Sequence, residues 1–255
     1  MSSPFRVIIP ARMASTRLPN KPLADIGGAP MVIRVAQQAQ KSLATSIVIA
    51  TDSVEIESAC RDFPFEVILT KATHPTGTDR LSEVVSILGL TDQEIVVNVQ
   101  GDEPFIPPEL INLVASSLQN NPHCAIATAG MPIADIIEIN NPNVVKIVRN
   151  QKGEALYFSR APIPFQRDAN TFSDAVRCLR HIGIYAYQAH FLKAFAQLAP
   201  APIEQWEALE QLRALWYGYS IAVEISAQMP PLGVDTYEDL EKARLEWNNI
   251  SKFSS

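Results

Sequence analysis

Cysteine is scarce in this sequence, and its few cysteines are poorly placed for a cysteine-based framework. The 255 residues include three, Cys60, Cys124 and Cys178, which are odd in number, far apart and form no CxxC pair. Disulfide frameworks and structural zinc sites use closely and regularly spaced cysteines. We therefore interpret these thiols as buried or incidental groups in a reducing compartment, and we expect neither a disulfide framework nor a zinc site.

The sequence also lacks a long apolar run and an excess of positive charge. No run approaches the roughly 18 apolar residues that span a bilayer, and no basic region followed by an apolar block stands at the N-terminus. The formal net charge of −6 disfavours a nucleic-acid backbone as partner. We expect a cytoplasmic protein without membrane insertion and without a nucleic-acid partner.

Apolar strands alternate with helical patterns through the first half of the chain. Strands are expected at Arg6–Ile9, Ser46–Ala50, Glu66–Leu69, Glu94–Val99 and Ala125–Ala129. Helices are expected at about Met31–Lys41, Val54–Phe63, Asp79–Leu88 and Pro108–Leu118. This alternation predicts an α/β fold with a mostly parallel sheet flanked by helices. Because ligands bind beyond the carboxyl ends of such strands, three segments should be neighbours: Ala11–Pro22, Lys71–Thr78 and Gln100–Pro107.

The pattern changes after about residue 130. Strands are expected at Val144–Arg149, Ala155–Phe158, Arg180–Tyr187 and Ala222–Ser226. Helices are expected at His190–Gln197, Ile203–Tyr217 and Tyr237–Asn248. We interpret about 131–220 as an inserted mixed α/β sub-region of a single domain, 1–255, which covers the site and could pair two subunits.

The segment after the first strand carries a concentration of positive charge. Arg12, Arg17 and Lys21 lie there with the hydroxyls of Ser15 and Thr16. Connections from strand to helix usually take about 2–6 residues, and this one takes roughly twenty. It lacks both glycine-rich phosphate signatures, GxxxxGK[ST] and GxGxxG. The cations themselves are therefore expected to hold a triphosphate, with a solvated basic loop as the alternative.

Two further segments combine polar groups with the expected strand ends. Thr73–Arg80 offers hydroxyls and a glycine before a helix, with Thr78 as the expected N-cap. Gln100 and Asp102 follow a buried strand, where a carboxylate beside a triphosphate is a natural Mg²⁺ ligand. Asp102 could instead cap a turn, and Glu103 is expected to point elsewhere.

A carboxylate far downstream has two possible roles. Asp235 precedes a helix, where it would be an N-cap with Glu238 completing a capping box. If the fold brings it beside Asp102, the two carboxylates could share Mg²⁺ in phosphoryl-group chemistry.

The second half of the chain has its own polar cluster. Arg160 ends a strand and is suited to holding a carboxylate bidentately. His181 and Tyr185 share one face of a strand, which fits a sugar-binding face, although a lone histidine can also be structural. Glu210 and Gln211 either lie on the surface or reach into the same pocket.

Together these segments resemble the 3-deoxy-manno-octulosonate cytidylyltransferases, also called CMP-KDO synthetases. The matching stretches are Ile9–Leu23, Thr73–Arg80, Asn98–Pro104, Tyr157–Pro164, Leu179–Tyr185, Leu209–Arg213 and Gly233–Thr236. They run through almost the whole chain in order and spacing. One departure is Asn20, where the family usually has Gly. Because Asn tolerates positive φ, we expect the backbone turn to survive.

The resemblance implies a Rossmann-like nucleotidyltransferase fold and a homodimer. It implies that CTP and 3-deoxy-D-manno-octulosonate (KDO) react with Mg²⁺ to give CMP-KDO and pyrophosphate for lipopolysaccharide biosynthesis. The implied nucleotide site is Arg12, Arg17, Lys21, Thr76, Gly77, Arg80 and Gln100, and the metal ligands are Asp102 and Asp235. The implied sugar site is Arg160, His181, Tyr185, Glu210 and Gln211. Lys21, Asp102, Asp235 and Arg12 are the implied catalytic residues.

Three alternatives stay open from the sequence. One is another cytidylyltransferase for a 2-keto sugar acid, such as sialic acid. A second is a non-catalytic nucleotide-binding module, which would be expected to lose a metal carboxylate or the loop lysine, whereas Asp102, Asp235 and Lys21 are all present. A dinucleotide-dependent dehydrogenase is disfavoured because no glycine fingerprint follows the first strand.

Overall fold

The computed structural model describes residues 4–15, 17–167 and 178–253; Thr16 lies outside them. The strands are β1 (Phe5–Ala11), β2 (Asp25–Ile26), β3 (Ala29–Pro30), β4 (Ser46–Thr51), β5 (Glu66–Leu69), β6 (Ile95–Asn98), β7 (Ile126–Pro132), β8 (Lys146–Arg149), β9 (Ala155–Ser159), β10 (Leu179–Gln188) and β11 (Ile221–Ile225). The helices are α1 (Met31–Ala39), α2 (Val54–Cys60), α3 (Gly77–Ile87), α4 (Pro108–Asn120), α5 (Ile136–Asn140), α6 (Ala189–Phe195), α7 (Pro202–Glu207), α8 (Gln211–Trp216) and α9 (Tyr237–Phe253), with a 3₁₀ turn at Lys21–Leu23. None of the described helices is long and apolar enough to cross a membrane.

One mostly parallel sheet organises the described chain. Its order is β11-β7-β10-β6-β1-β4-β5, with β8 pairing with β10 and β9 with β8. β1 runs parallel to β4 and β6, β4 to β5, and β7 to β11. β10 runs antiparallel to β6 and β7. β10, which belongs to segment 131–220, therefore lies inside the main sheet.

Helices cover both faces of this sheet. On one face, Val7 and Ile9 of β1 belong to a core cluster with Val32 of α1 and Ile111 of α4. On the other, Ile8 belongs to a cluster with side chains of α3 and α6. Successive strand residues point to opposite faces, so near-continuous apolar strands serve both layers. The predicted α/β fold with a mostly parallel sheet is confirmed.

A small hairpin between β1 and α1 was not predicted. β2 and β3 pair antiparallel, and the two residues between them, Gly27 and Gly28, have φ of 60° and 86°. Two-residue hairpin turns with positive φ at both positions favour glycine. The hairpin forms the second half of the long β1–α1 connection. α9 packs against it, with Ile26, Leu240 and Ala243 in one hydrophobic cluster.

The prediction of a single helix over Ile203–Tyr217 is wrong. The segment forms α7 and α8, separated by Ala208, whose φ of 51° is left-handed. Leu209 then turns into the core at 7% exposure. The side chains of Arg213 and Glu204 bridge the break with an Nε–Oε2 distance of 2.8 Å. Tertiary packing overrides helix propensity here, and the break turns Glu210 inward.

Candidate active site

A cavity of about 690 Å³ opens at the carboxyl ends of β1 and β6. Its lining includes six of the residues singled out in the sequence: Arg12, Arg17, Lys21, Gln100, Asp102 and Asp235. They come from three distant parts of the chain. The position agrees with the general rule that ligands bind beyond the carboxyl ends of parallel strands.

Lys21 lies at the centre of the charged groups. Its Nζ is 2.5 Å from Asp102 Oδ2 and 3.0 Å from Asp235 Oδ1. Arg17 Nη2 is 3.0 Å from Asp235 Oδ2. Burial alone would lower the pKa of Lys21, but its bonds to Asp102 and Asp235 outweigh burial and raise that pKa. Lys21 therefore stays cationic at neutral pH.

Two close backbone approaches bring the carboxylates together. A Cβ on Gly101 would lie 2.8 Å from the carbonyl oxygen of Pro10, so only glycine lets the β6 turn pass this close to the end of β1. The Val234 amide donates to the Asp102 carbonyl over 2.8 Å. Asp235, the next residue, is thereby held beside Asp102.

The N-cap of α9 is Thr236, one residue after the predicted Asp235. Asp235 and Glu238 do not form the capping box. Instead Thr236 Oγ1 accepts from the Asp239 amide over 3.2 Å, and the Thr236 amide donates to Asp239 Oδ2 over 3.0 Å. Since this pair satisfies the start of α9, the Asp235 carboxylate is available to Lys21 and Arg17.

Asn20 adopts the turn that its place in the loop requires. Its φ of 55° and ψ of 29° are left-handed, a conformation that Asn tolerates better than most residues other than glycine. The expected backbone turn is therefore present, and Lys21 follows directly in the 3₁₀ turn.

The start of α3 also differs from prediction. Thr76, not Thr78, is the N-cap, since its Oγ1 accepts from the Asp79 amide over 3.2 Å. Gly77 is then the first helical residue. The hydroxyl of Thr78 is left free to donate to the carboxylate of Glu210, which links α3 to the break between α7 and α8.

Arg80 is held by protein partners in this structure. Its guanidinium donates to Asp52 Oδ2 over 2.7 Å and to Thr70 Oγ1 over 2.5 Å, and the residue is 4% exposed. Asp52 follows β4 and Thr70 follows β5, so Arg80 fastens α3 to the ends of two strands.

Two of the predicted sugar-site residues lie together on β10. The His181 and Tyr185 ring centroids are 5.3 Å apart, and His181 Nε2 lies 3.1 Å from Thr128 Oγ1. Burial lowers the pKa of His181 to about 4, so its imidazole is neutral at physiological pH. Burial also raises the pKa of Tyr185 well above its usual value.

Glu210 and Gln211 place polar groups in a half-buried and a buried position at the start of α8. Burial raises the pKa of Glu210, and its hydrogen bond with Thr78 opposes that shift. Within the described part of the chain, three buried side-chain atoms have no hydrogen-bond partner: Gln211 Nε2, Asn98 Oδ1 and, on α4, Ser117 Oγ. Such atoms are costly unless a ligand or water satisfies them. Asn98, which was not singled out from the sequence, ends the apolar strand β6 with a polar side chain.

Arg160 lies against the turn that separates α7 from α8. Its Nε donates to the Glu207 carbonyl over 2.7 Å, and its backbone amide donates to Glu207 Oε2 over 2.9 Å. Its guanidinium also reaches the carbonyl of Pro142 at 3.2 Å. The structure thus places the Arg160 guanidinium against the backbone carbonyls of Pro142, Glu207 and Ala208.

Burial changes the protonation of Glu103, the residue that follows Asp102. Burial, with a smaller contribution from the charge of Asp102, raises the pKa of Glu103 to about 8. At neutral pH Glu103 is therefore mostly protonated.

Known proteins are similar to this chain in both sequence and fold. A family model described as cytidylyltransferase matches residues 6–225. The 3-deoxy-manno-octulosonate cytidylyltransferase of Polynucleobacter necessarius subsp. necessarius is 62% identical over 224 residues, 88% of each chain. The protein of the same name from Polynucleobacter asymbioticus is 60% identical over 224 residues, again 88% of each.

A solved structure gives the same result at the level of the fold. CMP:2-keto-3-deoxy-manno-octonic acid synthetase complexed with CTP superimposes with a TM-score of 0.88 at 38% identity, covering 97% of this chain and 100% of that one. The mostly parallel sheet and its flanking helices are those of a nucleotidyltransferase fold. The chain belongs to the cytidylyltransferase family, and within it to the 3-deoxy-manno-octulosonate cytidylyltransferases. The resemblance stated from the motifs is confirmed.

Proposed function

We propose that this protein transfers the cytidylyl group of CTP to the anomeric hydroxyl of KDO, giving CMP-KDO and pyrophosphate. The observation that carries the proposal is the position of Lys21 between Asp102 and Asp235, in one cavity with Arg12 and Arg17. The family relationship supports the choice of both substrates. A cytoplasmic location and a role in lipopolysaccharide biosynthesis are the corresponding cellular context.

Asp102 and Asp235 are suited to holding Mg²⁺. Both carboxylates contact one cationic group, Lys21 Nζ, so their oxygens already converge on one place. Hard carboxylate oxygens together with phosphate oxygens are the usual ligand set of Mg²⁺. The bound ion would supply neutralisation of phosphate charge and Lewis acidity toward the attacking hydroxyl.

The protein's own contribution to the reaction is positioning and charge. The anomeric oxygen forms a bond to the α-phosphorus of CTP as the bond from that phosphorus to the pyrophosphate oxygen breaks, and the hydroxyl proton is lost. Arg12, Arg17 and Lys21 would neutralise the triphosphate and then the leaving pyrophosphate. Preorganised cations at developing negative charge are a major source of rate enhancement.

The second polar cluster would hold the sugar acid. Neutral His181, Tyr185 and Glu210 can exchange hydrogen bonds with sugar hydroxyls, and Gln211 offers a buried amide nitrogen without a partner among the described residues. Arg160 would take the substrate carboxylate as a bidentate partner in place of backbone carbonyls, because a charge-assisted pair is the stronger bond.

The first experiment measures pyrophosphate release from CTP, with and without KDO and Mg²⁺, with sialic acid in parallel. We expect release that requires both KDO and Mg²⁺. Release only with sialic acid would retain the nucleotide half of the proposal and overturn the sugar half. CTP binding without release in either case would favour the non-catalytic alternative.

Asp235→Asn separates metal chemistry from nucleotide binding. The change keeps the size of the side chain and removes its charge, so turnover should fall far more than CTP affinity. The matched control is Glu238→Gln, an exposed residue of the same helix end, which should turn over normally. Near-normal turnover of Asp235→Asn would remove this carboxylate from the reaction.

We also propose a homodimer formed through segment 131–220. Among the described residues, six of the twelve large apolar side chains with more than half of their surface exposed lie in this segment: Ile136, Ile137, Leu156, Phe165, Trp206 and Trp216. Apolar side chains that adjoin one another on a surface mark an interaction site, and these six are the candidates for one. Light scattering should give twice the chain mass, and Trp206→Ser with Phe165→Ser should shift it toward the monomer. The control is Leu43→Ser, at a residue that is 70% exposed and lies outside the segment, and it should leave the measured mass unchanged. A monomeric parent protein would refute the dimer.

A further inference from the structure

Three side chains with metal-binding atoms converge at the end of the sheet opposite the nucleotide cavity. His123 and Cys124 lie between α4 and β7, and Glu154 lies between β8 and β9. The imidazole nitrogen, the sulfur and a carboxylate oxygen all lie within 4.8 Å of one another. Spacing along the chain does not reveal this cluster, because Glu154 follows His123 by 31 residues.

The nitrogen–sulfur separation suits a small divalent ion. Ligand distances of about 2.05 Å for nitrogen and 2.3 Å for sulfur at a tetrahedral angle place the two ligand atoms about 3.6 Å apart. His123 Nε2 and Cys124 Sγ are 3.6 Å apart. His123 Nε2 and Glu154 Oε1 share a hydrogen bond of 2.7 Å, which an ion would replace after a small rotation of the imidazole. That rotation is open to His123, whose side chain is 58% exposed.

Neighbouring groups orient the three side chains. Asn150 Nδ2 donates to Glu154 Oε2 over 2.8 Å, leaving Oε1 for His123 or an ion. Gln188 Nε2 donates to the Pro122 carbonyl over 2.9 Å and holds the loop that carries His123 and Cys124. Hydrogen bonds of this kind, made to the ligating side chains and their backbone, set the direction of the ligands in known metal sites.

The chemistry of the donors selects the ion. Imidazole, thiolate and carboxylate together suit Zn²⁺, whereas Mg²⁺ prefers oxygen donors alone. A cysteine binds zinc as the thiolate, so binding must release the thiol proton and affinity should rise with pH. Thiolate and carboxylate would together neutralise the charge of the ion.

We propose that His123, Cys124 and Glu154 form a zinc site whose fourth position is open to water. The ion would fasten the β8–β9 hairpin, through Glu154, to the loop that enters β7. Because β7 runs parallel to β6 through their shared neighbour β10, this loop lies at the amino ends of the strands. Zinc should therefore stabilise the fold and leave the carboxylates at Asp102 and Asp235 undisturbed.

Cobalt is the probe for the test, because thiolate ligation gives a charge-transfer band in the near ultraviolet. The untagged full-length protein is titrated with Co²⁺ in excess Mg²⁺. We expect one Co²⁺ per chain with that band, displaced by Zn²⁺. Cys124→Ser should abolish the band, whereas the matched variants Cys60→Ser and Cys178→Ser should retain it.

Zinc affinity and thermal unfolding provide the second readout. His123→Gln changes a largely exposed side chain, so the variant should fold, yet lose about 10²-fold or more in zinc affinity and lose the zinc-dependent rise in unfolding temperature. Asn150→Ala, which removes the hydrogen bond to Glu154 Oε2, should lose about 10-fold in zinc affinity. A band that persists in Cys124→Ser, or a folded parent protein that binds no stoichiometric Co²⁺, would overturn the proposal and leave only a hydrogen bond between His123 and Glu154.

Discussion

Lys21 shows how a single residue can depend on its surroundings for its chemistry. Its side chain is only 16% exposed, and an unpaired ammonium would be costly there. Asp102 and Asp235 compensate that cost, and Lys21 in turn compensates the repulsion between the two carboxylates. The loop lysine and both acidic residues were singled out from the sequence, but their mutual contact was not.

Replacing Lys21 by Ala tests this arrangement through the reaction. We expect pyrophosphate release to fall by about 10²-fold or more, the scale of losing one group that stabilises the transition state. The control is Lys41→Ala, an exposed lysine at the end of α1, which should leave the rate unchanged. An unchanged rate in Lys21→Ala would indicate a solvated basic loop with no part in catalysis.

At the scale of helices and strands, sequence pattern located most elements and failed at specific points. Hydrophobic periodicity predicted the strands β1, β4, β5 and β6, with their ends correct to within one or two residues. The break at Ala208 escaped it, because nothing in Glu207-Ala-Leu-Glu-Gln211 resembles a glycine cap. The left-handed residue is held there by Leu209 in the core and by Glu210 on Thr78.

The left-handed backbone at Ala208 leads us to expect a specific effect on the free energy of unfolding. Ala208→Gly should be at least as stable as the parent protein, since left-handed backbone costs a residue with a Cβ about 1–2 kcal/mol. Ala194→Gly within α6 should lose about 1 kcal/mol, because glycine is poor in a regular helix. Urea unfolding of the two variants measures the difference. Equal losses in both would show that position 208 has no strain to relieve.

At the scale of the whole molecule, burial of titratable groups couples folding to pH. The pKa of His181 is about 4 in the folded protein and about 6.5 in an unfolded chain. Between these values the unfolded chain binds more protons, so stability rises with pH. The contribution is present above about pH 6.5 and is lost as the pH falls toward 4.

Unfolding free energies at pH 7 and pH 5 test this coupling. The parent protein should lose stability over this interval, with at most about 3 kcal/mol assignable to His181 over the full window at 1.36 kcal/mol per pKa unit. His181→Gln should show a smaller loss, because Gln does not titrate, whereas His190→Gln should behave like the parent. Parallel losses in parent and His181→Gln would mean that His181 does not couple folding to pH.

The sequence by itself determined the alternation of strands and helices, the parallel sheet and the motifs that identified the family. Those properties depend on periodicity and on chemistry within a few residues. Only the tertiary structure decided that Thr236 caps α9 and so leaves Asp235 for Lys21, 214 residues away. It alone brought Glu154 to His123 and Cys124. The physical reason is that such contacts follow from how distant elements pack, which no local pattern encodes.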